Sequence, residues 1–519
     1  MRVFAIAAAV VLLTTPPPAP IDRVITDIAG RQGYEHAAIG VEAIDLASGH
    51  VVYAHNAGQF FVPGSTTKLL TIGSALAAFG ADYRFHTRVY RTGDVDASGV
   101  LRGDVILVGS GDPNLSNRIR PDGTLAFENE DHSYGGAKVK PVTGDPLTII
   151  DSLAAQVAQH GVRQIAGRVR VDVSLFPEGA REGGTGAVIS PIVVNDNVVD
   201  VIVSGAAEGK AVAARAQPET AYVRFVNRLE TGAATGQPDV RMRDVEESDG
   251  SHTVTLRGTM PAGTSGLFSW KVPQPSRFAA VALAERLQAH GIIAPAASKD
   301  AAFDPAAARA NYRDDHLVAE HVSVPFSEAA KVVLKVSQNL HASMMLSVVG
   351  ALIAPTAPGE PIQRGFDVMK HWLDSSGLDV SAASQGDGAG AEAHFTPHFM
   401  ASYLAWMAKQ PNADVFRRAL PIMGRDGTLA EIEPRSPAAG HVLAKTGTYG
   451  EADRLHRSLM VDGKGLAGYI DTAAGRHLAF AAYINFVRVG LGQAQSVGDA
   501  LGEIASAIYA DAPRASTGR

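Results

Sequence analysis

The chain of 519 residues is long enough for roughly three or four domain-sized units and for a large buried core. Hydrophobic residues make up 46% and charged residues 19% of it, a balance typical of globular rather than disordered proteins. The net charge of −7 lacks the basic excess of a nucleic-acid-binding protein, so no nucleic-acid partner is expected. The absence of cysteine excludes disulfides, thiolate catalysis and cysteine-ligated metal sites.

The N-terminus has the pattern of an export signal, which we predict to span residues 1–19. Arg2 supplies a positive charge, Val3 to Leu13 form an apolar run, and Pro16 to Pro18 end it. The run is too short for a permanent transmembrane helix, and no later stretch reaches about eighteen apolar residues. We expect a periplasmic or other extracytoplasmic protein, soluble or peripheral, without an integral membrane segment. The alternative is that the run forms a buried first helix.

The sequence at both ends of the chain predicts strands mixed with helices. We therefore predict that the two ends together form one layered domain. The apolar spacing favours helices at either end, with Ser327 as a helix cap, and β-hairpins beside them. The predicted elements are a helix at 21–30, strands at 37–44 and 51–55, a helix opened by Pro63-Gly64-Ser65, helices after Ser327 and Asn339, strands at 442–448, 466–470 and 478–486, and a helix at 492–510.

The middle of the chain differs, because short strand-like runs alternate there with turns rich in glycine, aspartate and proline. We therefore predict an α/β (α+β) protein with an antiparallel sheet between helices and an inserted β-rich region. The predicted ranges are 20–84 with 312–512 for a catalytic domain, 85–311 for an insert of two modules with the second near 205–265, and 513–519 for a tail.

The first chemical motif is Ser65-Thr66-Thr67-Lys68, at the start of a predicted helix. Residues three apart on a helix share a face, and serine needs a base within hydrogen-bond reach to become a nucleophile. Lysine can act as that base only when burial or another cation destabilises its ammonium form. About one Ser-x-x-Lys match is expected by chance in a chain of this length, so the spacing alone is weak.

The second motif is Ser337-Gln338-Asn339, whose hydroxyl and amide project the same way from an extended loop. The hydroxyl can relay a proton and the amide can bind a carbonyl, although a capping serine between two helices is the simpler interpretation.

The third motif is Lys445-Thr446-Gly447-Thr448, on a predicted strand. Gly447 lets a ligand approach the backbone, Lys445 offers positive charge, and the threonines offer hydroxyls. The Lys-Thr-Gly triplet is expected on the order of 0.1 times by chance. The simpler interpretation is an edge strand protected by a lysine.

The three motifs occur once each, in an order that resembles the motif set of penicillin-binding proteins and serine β-lactamases. Ser337 follows Ser65 by 272 positions, a longer separation than a compact β-lactamase has there. The chain therefore resembles the class C low-molecular-mass penicillin-binding proteins. These are the D-alanyl-D-alanine carboxypeptidases and endopeptidases of the S13 peptidase family.

Other segments are similar to the same family over nearly the whole mature chain. They are 103–115, 171–176, Asn195-Asp196-Asn197, Gly427-Thr428-Leu429 and 437–440. Two segments depart from the family pattern. Residues 387–394 lack the hydroxyls and the arginine of a serine-glycine-leucine-serine-arginine run, and 449–465 lengthen the connection after Thr448.

The resemblance implies a penicillin-binding-protein-like fold with a five-stranded antiparallel sheet, and it implies a reaction. Ser65 would attack a peptidoglycan stem peptide at the penultimate D-alanine, Lys68 would take its proton, and Ser337 would pass a proton to the leaving amine. β-Lactams would acylate Ser65. The residues expected to bind substrate are Asn339, Lys445, Thr446, Gly447 and Thr448.

Seventeen histidines raise the alternative of a metal site. His394 and His398 are four residues apart, but Pro397 breaks the helical face that a zinc pair needs. We predict ordinary surface or loop histidines, no metal and no organic cofactor. Two other functions stay open, namely a β-lactamase or esterase of the same fold and a non-catalytic cell-wall-binding protein.

Overall fold

The computed structural model describes residues 20–116, 118–137, 139–297 and 303–511. The predicted signal peptide at 1–19 and the tail at 513–519 lie outside the described residues. Within the described ranges, no helix is both long and apolar enough to cross a membrane.

The helices and strands are numbered in chain order. The helices are α1 (Pro20–Ala29), α2 (Lys68–Phe79), α3 (Thr148–Gln159), α4 (Pro275–Ala289), α5 (Pro305–Ala308), α6 (Phe326–Val336), α7 (Asn339–Ile353), α8 (Pro361–Asp374), α9 (Pro397–Met407), α10 (Ala413–Arg418) and α11 (Gln495–Asp511). The strands are β1 (Ala38–Asp45), β2 (Val51–His55), β3 (His86–Arg91), β4 (Val100–Leu101), β5 (Val105–Val108), β6 (Gln164–Ile165), β7 (Val169–Asp172), β8 (Val198–Ser204), β9 (Ala213–Gln217), β10 (Val223–Gly232), β11 (Asp239–Glu246), β12 (His252–Pro261), β13 (Ser265–Lys271), β14 (Leu317–Val322), β15 (Ala383–Gln385), β16 (Ala393–Phe395), β17 (Val442–Asp453), β18 (Ser458–Asp471), β19 (His477–Asn485) and β20 (Val487–Val489).

The main sheet joins the two ends of the chain. Its strand order is β17-β18-β19-β1-β2, and the short strand β20 pairs with β18. Every neighbouring pair is antiparallel, which confirms the predicted five-stranded antiparallel sheet. β1 pairs along its whole length with β19, from Ala38 opposite Asn485 to Asp45 opposite Leu478.

The main sheet is buried on both faces, as the alternation of side chains along β19 demonstrates. Leu478, Phe480, Ala482 and Ile484 pack into the core that contains residues of α1 and α11. Ala479, Ala481 and Tyr483 belong to the opposite core, which contains residues of α2, α7 and α9. Helices therefore cover both faces of the sheet, as the sequence predicts.

The middle of the chain forms separate sheets over a core of its own. A four-stranded sheet has the order β14-β3-β5-β7, and two three-stranded sheets have the orders β13-β8-β9 and β10-β12-β11. The predicted β-rich character of the insert is confirmed. β14 comes from the C-terminal side of the insert and pairs antiparallel with β3.

Several local predictions differ from the structure, among them the following two. Ser327 lies inside α6, because that helix begins at Phe326 after Pro325 and has no side-chain cap. The strand predicted to end at Thr448 continues to Asp453, because residues 449–453 pair with the start of β18.

Close packing of α7 against α8 depends on two glycines. A Cβ added at Gly365 would lie 1.9 Å from the carbonyl oxygen of Leu346, and one at Gly350 would lie 1.9 Å from that of Pro361. Only residues without a Cβ allow the two backbones to approach this closely. α7 begins at Asn339, so the packing of α7 against α8 helps to hold the second motif in place.

Gly365→Ala is expected to destabilise the protein by about 1–3 kcal/mol, because the added methyl group forces the α7 and α8 backbones apart. The measurement is the thermal unfolding midpoint. Gly58→Ala is the matched control, since no atom lies within 4 Å of a Cβ at that exposed turn. Equal midpoints for the two variants would contradict the prediction.

Candidate active site

The Ser65 hydroxyl lies at the start of a helix, as the sequence predicts. Residues Gly64–Thr67 form a 3-10 turn that continues directly into α2 at Lys68. The Thr66 hydroxyl donates to the Pro63 carbonyl and the Thr67 hydroxyl donates to the Gly64 carbonyl, which fixes the turn. On the resulting shared face, Lys68 Nζ lies 2.9 Å from Ser65 Oγ.

Lys68 is fully buried and brings two motifs together. Its Nζ donates to the Ser337 carbonyl at 2.7 Å, to Ser337 Oγ at 3.1 Å and to Asn339 Oδ1. Ser337 reaches this position because it ends α6 in a left-handed conformation, with φ of 66°. The Ser-x-Asn loop therefore lies directly against the Ser-x-x-Lys pair.

The environment of Lys68 makes it a usable base. Burial lowers the pKa of Lys68 from 10.5 to about 7, and this effect outweighs the carboxylates of Asp131, Glu182 and Asp387, which favour the charged form. A lysine with a pKa near neutrality is partly unprotonated at pH 7. It can then accept a proton from the neighbouring Ser65 hydroxyl.

Lys445 completes the cluster from β17. Its Nζ donates to Ser337 Oγ at 2.8 Å, so the Ser337 hydroxyl lies between the amino groups of Lys445 and Lys68. Burial, together with repulsion from Lys68 and Lys464, holds the pKa of Lys445 well below its usual value. The arrangement connects two lysines through one hydroxyl that can both accept and donate a proton.

Gly447 allows β17 to pass close to the Ser65 turn. A Cβ at this position would lie 2.0 Å from the Pro63 carbonyl oxygen and 3.1 Å from the Ser65 backbone nitrogen. On the other side of the contact, a Cβ at Gly64 would lie 2.6 Å from the Thr448 backbone nitrogen. The backbone N–H groups of Ser65 and Thr448 are therefore brought to the same small region.

The two threonines of the third motif have partners that the sequence does not identify. Thr446 Oγ1 donates to Thr428 Oγ1 at 2.8 Å, and Lys464 Nζ donates to Thr448 Oγ1 at 2.8 Å. Burial lowers the pKa of Lys464 to about 8. Thr428 lies in a segment noted only for its resemblance, and Lys464 lies in the lengthened connection after Thr448.

The lengthened connection at 449–465 is a β-hairpin extension whose register shifts between Tyr449 and Glu451. Tyr449 pairs with Gly463 and Asp453 pairs with Ser458. The other departure, 387–394, packs against the Ser65 turn, since a Cβ at Gly390 would lie 2.1 Å from the Gly64 carbonyl oxygen. Both departures thus lie in or beside the walls of the site.

Two further polar groups near the site, one from the inserted region and one from the Ser-x-Asn loop, could not be assigned from the sequence. Tyr134 Oη accepts a hydrogen bond of 2.7 Å from Asn339 Nδ2, and Gln338, between Ser337 and Asn339, is completely buried. These residues lie in loops or between motif positions, and no local periodicity distinguishes them. The eight predicted site residues, by contrast, all lie in the cluster or in its walls.

The sequence profile of the D-Ala-D-Ala carboxypeptidase 3 (S13) family matches residues 21–507, nearly all of the described chain. The chain belongs to the S13 family. The S13 resemblance inferred from the motifs is thereby confirmed, together with the assignment of the long insert to this family rather than to a compact β-lactamase.

Two curated relatives agree with membership of the S13 family. A D-alanyl-D-alanine carboxypeptidase of Actinomadura sp. (strain R39) is 27% identical over 452 residues, which cover 82% of this chain and 75% of the relative. The D-alanyl-D-alanine carboxypeptidase DacB of Haemophilus influenzae is 22% identical over 472 residues, or 87% of this chain and 86% of the relative.

Solved structures support the S13 fold. The crystal structure of penicillin binding protein 4 (dacB) from Haemophilus influenzae has a TM-score of 0.67 with 21% identity, and covers 93% of this chain and 98% of its own. The same protein complexed with a β-lactam has a TM-score of 0.64 with 20% identity, and covers 94% and 98%.

Acylation of Ser65 is expected to depend on pH through Lys68. Because the unprotonated amine is the base, the rate constant with benzylpenicillin should rise with pH, reach half its plateau near pH 7, and fall about tenfold per unit below that. The measurement is the second-order acylation rate constant from about pH 5 to about pH 9.

A matched pair of variants tests the same base. Lys68→Arg should lower the rate constant by about 10²- to 10⁴-fold, since arginine stays protonated throughout. Lys331→Arg, a partly exposed lysine on α6, is the control and should change little. A flat pH profile for the wild type would rule out the assignment of Lys68 as base.

Proposed function

We propose that this protein is a serine-type D-alanyl-D-alanine carboxypeptidase or endopeptidase that acts on peptidoglycan stem peptides through an acyl-enzyme at Ser65. The observation that carries the proposal is the position of Lys68 Nζ, 2.9 Å from Ser65 Oγ and in contact with both Ser337 and Asn339. Membership of the S13 family supports the substrate class.

The first step forms the acyl-enzyme. Lys68 accepts the Ser65 proton while Ser65 Oγ attacks the carbonyl carbon of the penultimate D-alanine. The N–H groups of Ser65 and Thr448, which Gly447 brings together, stabilise the resulting oxyanion, a contribution of about 3–4 kcal/mol in comparable sites. The carbon–nitrogen bond then breaks, and the leaving amine takes a proton through Ser337, whose hydroxyl contacts both lysines.

Electrostatics links substrate binding to activation of the nucleophile. The substrate's terminal carboxylate, bound by Lys445, Thr446 and Thr448, favours the charged form of Lys445. A charged Lys445 in turn disfavours the charged form of Lys68, which lies on the opposite side of the Ser337 hydroxyl. Binding of the correct terminus therefore increases the unprotonated fraction of Lys68, which is the form that accepts the Ser65 proton. Asn339 holds the substrate amide, and water later hydrolyses the ester.

The remaining assignments follow from this function. We assign residues 20–84 and 312–512 to the catalytic domain and 85–311 to the insert, with β14 as the segment of 312–512 that pairs into the four-stranded sheet of the insert. A peptidoglycan substrate places the protein in the periplasm or another extracytoplasmic space, consistent with the export signal predicted at 1–19. β-Lactams are expected as covalent inhibitors, because their strained amide is attacked by the same serine.

Intact-mass measurement after incubation with benzylpenicillin tests the nucleophile. The wild type should gain one penicillin per chain, and Ser65→Ala should gain none. Ser74→Ala, which removes a buried hydroxyl further along α2 that donates to Thr71, is the control and should be labelled like the wild type. An unlabelled wild type, or a labelled Ser65→Ala variant, would refute the proposal.

Product analysis separates the proposed reaction from its alternatives. A pentapeptide ending in D-Ala-D-Ala should release one D-alanine, and a cross-linked dimeric peptide should be cleaved if endopeptidase activity is present. Rapid turnover of a chromogenic β-lactam instead of a lasting adduct would identify a β-lactamase. Penicillin labelling without cleavage of either peptide would contradict the assigned substrate class.

A further inference from the structure

The inserted region places a tyrosine at the site. Tyr134 ends a 3-10 turn, His132–Tyr134, and is 56% exposed, but its hydroxyl oxygen lies 2.7 Å from Asn339 Nδ2. The other end of the same amide, Asn339 Oδ1, accepts from Lys68 Nζ. The Asn339 amide is thus hydrogen-bonded at both ends, and one of the two N–H groups of Nδ2 is not used in these bonds.

The turn that carries Tyr134 is anchored by a buried histidine. His132 Nδ1 lies 2.9 Å from a carboxylate oxygen of Asp200, and its Nε2 lies 2.8 Å from Asp196. Burial works to lower the pKa of His132, but the two carboxylates outweigh it and raise the pKa to about 10. Lys271 Nζ donates to the Ser133 carbonyl at 2.6 Å, which fixes the backbone next to Tyr134.

Asp196, which contacts His132, is also hydrogen-bonded to the Ser-x-Asn loop. Asp196 accepts from Arg118, from His341 at 2.9 Å and from the Gln338 side-chain amide at 3.2 Å. Gln338 is the residue between Ser337 and Asn339. The turn that presents Tyr134 and the loop that presents Asn339 therefore share one buried ionic cluster, so their relative position is set by short bonds rather than by long loops.

Protein groups already supply the positive charge in this cluster. Ligand atoms of Asp131, His132 and Asp196 lie within 4.8 Å of one another, which is a spacing that a metal ion could use. Both ring nitrogens of His132 are bonded to carboxylates, however, and the Arg118 guanidinium is bonded to Asp196. The cluster is accordingly a structural anchor.

The position of Gly184 is separate evidence that the backbone packs tightly against the Tyr134–Asn339 pair. A Cβ at Gly184 would lie 2.0 Å from Asn339 Nδ2 and 2.7 Å from Tyr134 Oη. The loop at 182–186 therefore leaves no room at position 184 for a side chain beside the tyrosine–asparagine pair. Glu182 folds that loop by accepting from the backbone N–H groups of Gly184 and Gly186.

We propose that Tyr134 is a positioning residue that fixes the Asn339 amide so that its free N–H faces the carbonyl of the substrate amide. Without the hydroxyl, the remaining hydrogen bond of the amide is the one to Lys68, whose hydrogen bonds change as it takes and returns a proton. Tyr134 thus keeps the binding geometry constant through the catalytic cycle. This inference rests on the proposed function, because it assigns a role within the same site.

A pair of β-lactams isolates this role. Benzylpenicillin carries a side-chain amide carbonyl that Asn339 can bind, and 6-aminopenicillanic acid lacks it. Tyr134→Phe should lower the acylation rate constant for benzylpenicillin about three- to tenfold, the usual effect of one hydrogen bond. It should leave the value for 6-aminopenicillanic acid within about twofold of the wild type. With the stem peptide, the loss should fall on KM more than on kcat.

Two further variants exclude a general structural effect. Gly184→Ala should reproduce the loss that is selective for benzylpenicillin, because its methyl group displaces the same amide. Tyr53→Phe, which also removes one tyrosine hydroxyl bond, to Asp22 far along the chain from the site, should change neither rate constant. In an Asn339→Ala background, Tyr134→Phe should have no additional effect.

The outcomes distinguish this inference from the proposed function. If the wild type is not acylated at Ser65, the proposed function fails first. If the wild type is acylated and Tyr134→Phe lowers both β-lactams equally, lowers neither, or acts undiminished in the Asn339→Ala background, the positioning role of Tyr134 is overturned while the function stands.

Discussion

The site is built around a buried lysine amine, and its solvation determines what the neighbouring segments must do. An ammonium group removed from water needs hydrogen-bond acceptors on all sides, or it loses its proton. For Lys68, the Ser-x-Asn loop supplies hydrogen-bond acceptors that stabilise the ammonium form. Burial nevertheless lowers its pKa to about 7, so that part of the population has lost the proton. The chemistry and the packing of three distant chain segments therefore depend on one side chain.

The second buried lysine, Lys445, influences the charge state of the first. Two cations cannot share a buried space at low free-energy cost, so each disfavours the charged form of the other. Ser337 lies between them and offers a path along which one proton can move. The charge state of this pair is therefore sensitive to any anion that enters the site, which is a property of the pair and not of either lysine alone.

The sequence predicts the parts of this protein that depend on short-range patterns. Ser65 and Lys68 are three residues apart on one helix, and the apolar run at 478–486 predicts a strand, which is β19 of the main sheet. Family resemblance then supplies the order of the motifs. The interactions that escape prediction join residues remote in sequence: Tyr134 with Asn339, and Lys464 with Thr448 through strand register. A single polar residue in a loop has no periodicity, so only the folded chain reveals its partner.

The pairing of β1 with β19 has a consequence for biosynthesis. β1 is synthesised before the Ser65 helix, but its partner β19 is translated only after the whole insert and most of the helices. Contacts of such high sequence separation form late, because the chain must close a very long loop before they gain any stability. Lys68 is close to Ser65 already in the sequence, but the sheet that carries Lys445 to the same site is completed only when β19 has been made. A nascent chain released before that point is expected to carry no acylating activity.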